Sequence, residues 1–152
     1  MALGSAFPRS FVESQIQRQL RPGTVIKMRQ TMDDGLIHEK RFVIAAINEH
    51  IVTFIINTAI SPFLKARPAL LKCQVDMSVA DHSFMSHDSS VDCSRMRSYA
   101  TNEVIQDLAE QPDWVLGSIS TELRASIVAA IKFSPTLSAK EVAMLCESLL
   151  DE

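Results

Sequence analysis

The period of the apolar positions changes several times along the chain, and each change marks an element. Val12, Ile16 and Leu20 recur every four residues, predicting a short amphipathic helix over 11–20. Ser10 and Glu13 are spaced as its capping box, and Pro22 and Gly23 end it. From 24 to 32 the period falls to two. Ile26 and Met28 lie on one face of a strand, Val25, Lys27 and Arg29 on the other, and Asp33, Asp34 and Gly35 read as a turn. Residues 41–47 and 51–57 are the most apolar part of the chain and rich in β-branched side chains. Joined by Asn48, Glu49 and His50, they predict a buried hairpin at the centre of a sheet.

Pro62 and Pro68 bracket a loop or a single helical turn. Leu71, Cys73, Val75 and Met77 then alternate with Lys72, Gln74 and Asp76 as a half-buried strand, and the polar stretch 80–90 predicts a loop before Val91 and Cys93 resume the alternation. The last third is helical. Thr101 is the N-cap candidate of a helix with Val104, Ile105 and Leu108 on one face, ended by Pro112; 114–116 suits a short strand. Ser120 caps a helix striped with Leu123, Ile127, Val128 and Ile131. Ser138 and Glu141 form a second capping box, with Leu137 stapled to Val142, for a helix over 139–150. The fold class that results is α+β, a strongly twisted antiparallel sheet with C-terminal helices in a single domain.

Composition narrows the setting. A chain of 152 residues, 47% of them hydrophobic, fills one core and has little left for a second. Its longest apolar stretch, 51–60, is interrupted by Thr53, Asn57 and Thr58 and falls short of the roughly 20 residues of a spanning helix. Residues 1–9 lack a cationic start followed by an apolar segment, so no membrane association and a cytoplasmic location are expected. Cys73, Cys93 and Cys146 are too few and too widely spaced for a disulfide framework or a zinc site, and read as buried thiols. The net charge of −3 is unevenly spread: residues 1–45 carry seven Lys/Arg against four Asp/Glu, and residues 101–152 carry three against nine. The basic part is the better candidate to meet a polyanion.

Several short segments resemble the MazF/PemK family of toxin-like small barrels. Residues 22–28, Pro-Gly-Thr-Val-Ile-Lys-Met, are similar to the family's first strand, and 40–44, Lys-Arg-Phe-Val-Ile, to its second. Residues 54–58, Phe-Ile-Ile-Asn-Thr, are similar to the third, which ends in a hydroxyl residue. Residues 89–98, Ser-Ser-Val-Asp-Cys-Ser-Arg-Met-Arg-Ser, match a later strand, and 115–120, Val-Leu-Gly-Ser-Ile-Ser, a helix entry. The likeness covers 22–134 in consistent order, leaving the helices at 11–20 and 139–150 as additions.

The resemblance implies a small SH3-like barrel, a homodimer and a cognate antitoxin as partner. It also implies cleavage of single-stranded RNA without a metal or other cofactor, by attack of a ribose 2′-OH on the adjacent phosphate. Arg41 matches the position of a transition-state guanidinium and Thr58 that of a phosphate-binding hydroxyl. Lys27, Arg29, Arg95 and Arg97 are the candidates to hold RNA phosphates. Blander roles stand beside these: Arg41 as a surface arginine paired with Glu39, Thr58 as a strand-end threonine, Arg95 and Arg97 as one solvated strand face. Two departures also matter. The family's Arg-Pro is Arg41-Phe42 here, and Asp92 stands where some members carry a base. They keep open a second function, a non-catalytic protein- or nucleic-acid-binding module on the same barrel. His38, His50, His82 and His87 match no family position. His82 and His87, with Asp81 and Asp88, lack the helical spacing of a metal pair, so no metal site is expected.

Overall fold

Helix α1 (Arg9–Gln19) leads through Gly23 into strand β1 (Thr24–Thr31), and a turn at Asp33–Gly35 returns the chain as β2 (Ile37–Ile47) and then β3 (His50–Asn57). Two single helical turns, α2 (Pro62–Lys65) and α3 (Pro68–Leu71), precede β4 (Gln74–Met77). After a loop come β5 (Ser89–Asp92), β6 (Arg97–Ala100), α4 (Thr101–Glu110), a 3₁₀ turn (Pro112–Trp114), β7 (Val115–Ser118), α5 (Thr121–Phe133) and α6 (Ala139–Leu150). This structure, a computed structural model, describes residues 8–150.

The strands form a curled, half-barrel antiparallel sheet in the order β4-β5-β3-β2-β1-β7. Strand β6 pairs with the first half of β3, and β5 pairs with its last two residues, so β5 and β6 are two parts of one interrupted strand. The central hairpin is mostly apolar from Phe42 to Ile56 because both of its faces are covered there. Val43, Phe54 and Ile56 meet Leu123, Ile127 and Ile131 of α5 and Leu145 and Leu149 of α6. On the opposite face Phe42, Ile44, Ile51 and Ile55 meet Val12 and Ile16 of α1 and Val104 and Leu108 of α4. Full burial of each such side chain stabilises the fold by about 1.5–3 kcal/mol. Helix α1, read from the sequence as an addition, is thus one wall of a second core.

Local signals held where no distant contact competed. Ser138 accepts from the Glu141 N–H, and Glu141 accepts in return from the Ser138 N–H, a complete capping box. Ser120 caps α5 through the Leu123 N–H. At α1 the expected box of Ser10 and Glu13 does not form. The helix starts at Arg9 after Pro8, and Arg9 draws Glu13 into an ion pair at 2.9 Å while donating to the carbonyl of Gln106 on α4. Thr101 is the first residue of α4, not its cap; its hydroxyl donates to the Asn48 carbonyl. The alternating stretch from Leu71 is a strand only from Gln74, because Pro68 starts a helical turn through Leu71.

No described helix is long and apolar enough to cross a membrane. Cys73, Cys93 and Cys146 are buried free thiols.

Candidate functional site

Strand β2 outruns both helical layers. From Phe42 to Ala46 it is buried, whereas Ile37 to Arg41 is exposed or half-buried and mostly polar. The β1–β2 register sets Lys27 opposite Arg41 and Arg29 opposite Glu39, all four on the face that carries Val25 and Val43 further along. Glu39 accepts from Lys27 Nζ at 3.0 Å and lies 3.7 Å from Arg29 Nη2. These contacts, Lys27 first, hold its carboxyl below the ordinary range. Since Glu39 is engaged by the other two cations, the Arg41–Glu39 pair of the blander role does not form. The Arg41 guanidinium is left with a buried Nε that has no hydrogen-bond partner among the described residues.

A polar cleft of about 270 Å³ opens over this face, lined by Lys27, Lys40, Arg41, Thr58, His87 and Ser89 with Glu39 at its side. Thr58 reaches it because Ile56 pairs with Arg41 and Thr58 lies two residues further along the same face. His87 comes from the loop between β4 and β5. Its Nδ1 lies 3.1 Å from the Asp88 carbonyl and 3.2 Å from Ser89 Oγ, and among the described residues its Nε2 has no hydrogen bond. The loop is anchored by His82, which is buried. His82 Nδ1–H donates to the Ser78 carbonyl at 2.8 Å, and its Nε2 accepts from the Ser120 N–H at 3.0 Å. That tautomer fastens the loop to the start of α5, so His82 is a brace and His87 faces the cleft. Among the described residues no three His, Cys, Asp or Glu side chains gather as a metal site.

The remaining basic candidates lie elsewhere. Arg29 sits with its guanidinium 5.1 Å from the centre of the Trp114 ring, which also takes Lys27 at 4.9 Å. Arg95 and Arg97 do not share an uninterrupted strand. The chain leaves the sheet between Asp92 and Arg97, and the two guanidinium groups converge on Asp33 at 2.8 and 3.6 Å. They border a second cavity of about 690 Å³. Asp92 explains the break. It is buried, accepting from Gln74 Nε2 and from the backbone and hydroxyl of Ser94, so the carboxylate that departs from the resemblance shapes a turn.

The geometry therefore joins Lys27, Arg41 and Thr58 and adds Lys40, His87 and Ser89, which the sequence reading did not select. No model of a known protein family matches the chain, and no curated protein matches it. Chemically, the cleft offers cations and hydroxyls to a phosphate and an imidazole to a proton transfer, with Arg41, whose buried Nε has no partner among the described residues, in its lining.

Proposed function

We propose that the chain is a metal-independent endoribonuclease of the MazF/PemK-like kind, acting on single-stranded RNA in the cytoplasm as the toxin of a toxin–antitoxin pair. The supporting observation is the Arg41 guanidinium, half-buried, unpaired with Glu39 and set in one cleft with Lys27, Thr58 and His87. A phosphodiester suits the chemistry of such a cleft. Lys27 and Arg41 neutralise it, and Thr58 donates its hydroxyl to a phosphate oxygen. The ribose 2′-OH attacks phosphorus, the P–O5′ bond breaks, and Arg41 stabilises the charge that builds on the phosphoryl oxygens. The products are a 2′,3′-cyclic phosphate and a 5′-hydroxyl. His87 takes the proton from the 2′-OH as it attacks, and water protonates the departing O5′. Glu39 is a poor base, because Lys27 and Arg29 stabilise its charged form.

In this reading the working unit is a homodimer, and the antitoxin covers the cleft until it is removed. Expression of the chain alone should arrest growth and expression of Arg41→Ala should not, with both proteins accumulating equally. Equal toxicity of the two would sink the assignment of Arg41, and a harmless wild type would favour the non-catalytic binding module.

A further inference from the structure

The 690 Å³ cavity lies on the opposite face of β2 and β3 from the cleft, and Lys40 lines both. Its floor is built from the sheet by Lys40, Ile55 and Asn57, and its sides from Met96 of the β5–β6 break and Phe63 of α2. Phe63 is 57% exposed, and it is the exposed ring that borders this cavity. Arg67 covers one side of it, with the guanidinium carbon 3.5 Å from the ring centre and Nη1 donating to the Phe63 carbonyl at 2.8 Å. The backed ring is a flat platform at the edge of a cavity whose size suits a small organic ligand.

Apart from Lys40, the charged side chains around the cavity are already engaged. Asp33 holds Arg95 and Arg97, Asp34 holds His38, and Asp92 and Glu141 accept hydrogen bonds from Ser94 and Ser138. What remains is an exposed aromatic face, a mixed apolar and amide lining, and Lys40 on the rim toward the phosphate cleft. A flat polar ring attached to an anionic chain satisfies all three.

Resting on the nuclease reading above, we infer that this cavity receives an unpaired nucleobase next to the scissile phosphate. The base stacks on Phe63, its edge meets Asn57, and Lys40 holds the phosphate that links the two sites. Stacking of a base on an aromatic side chain tolerates any base, so preference comes from the amide edge.

The test is fluorescence anisotropy of the full chain with a labelled single-stranded RNA carrying 2′-O-methyl groups throughout, which cannot be cleaved, beside mapping of cut positions on unmodified RNA. Phe63→Ala is expected to weaken binding about tenfold and to broaden the distribution of cut positions, and Phe63→Leu to restore only part of the affinity. Lys40→Gln should lower the slope of log affinity against log salt by about 0.7, the loss of one phosphate contact. If Phe63→Ala binds as tightly as wild type and cuts at the same positions, the base site is wrong and the nuclease reading stands. If binding depends on Phe63 but unmodified RNA is never cut, the nuclease reading fails and the base site stands. A wild type that binds no RNA overturns both.

Discussion

Lys27 and Arg41 stand directly opposite each other across β1 and β2, on one face of the sheet. Like charges in this position repel, and only Lys27 is compensated, by Glu39 at 3.0 Å. A cation left uncompensated beside a second one is a poor structural device and a good anion site. Replacing Arg41 with Gln should therefore leave the thermal stability of the free protein unchanged or slightly raised at low salt. A structural arginine would behave oppositely, and a large drop in melting temperature would contradict the functional assignment.

Activity should fall at least ~100-fold in Arg41→Ala, the scale of losing one transition-state donor. Arg41→Lys should recover only part, because an ammonium keeps the charge and loses the planar fork. Single-turnover rates on an excess of enzyme decide it. Full activity in the lysine variant would mean that charge alone suffices.

His87→Gln should cost on the order of 100-fold or more in the same assay, as proton transfer is lost. Thr58→Val should lower activity without unfolding the protein, since Thr58 is exposed. His82→Gln should act differently, lowering stability first, because it removes the buried imidazole that joins the Ser78 carbonyl to the Ser120 N–H and so anchors the loop to α5. A His87 variant with normal rates would take the imidazole out of the mechanism.

Acid should weaken the β1–β2 ribbon. The Leu36 N–H and then His38 hold the Asp34 carboxyl below its ordinary value of 3.8, and Lys27 holds Glu39 below 4.5. Carboxyls depressed in the folded state contribute stability that is complete above their unfolded values and lost as pH falls through the folded ones. The urea midpoint should thus be level near neutrality with respect to these groups and decline from about pH 4.5 downward. Glu39→Gln should make that decline shallower; an unchanged acid limb would count against the pairing.

Much of the fold was legible because its signals are local. The Ser138–Glu141 box and the Ser120 cap each span only four residues, and the alternation around Lys27 and Arg29 placed them on one face. The Ser10–Glu13 box failed where a tertiary contact, Arg9 to α4, moved the helix start. The site was legible in part. Arg41 and Thr58 came from the resemblance, but their meeting with His87 depends on a loop path fixed by the His82–Ser120 contact across 38 positions of sequence. No local pattern encodes that contact. The sequence also could not tell that Arg95 and Arg97 would be claimed by Asp33, since that depends on the fold bringing the β1–β2 turn to the β5–β6 break.

The central claim is that this chain cleaves RNA with its own side chains around Arg41, and the most direct measurement is end-group analysis of RNA incubated with purified wild-type protein in excess chelator. The expected result is fragments with 2′,3′-cyclic phosphate and 5′-hydroxyl ends, absent with Arg41→Ala. Intact RNA, or fragments formed equally by the Arg41 variant, would contradict it.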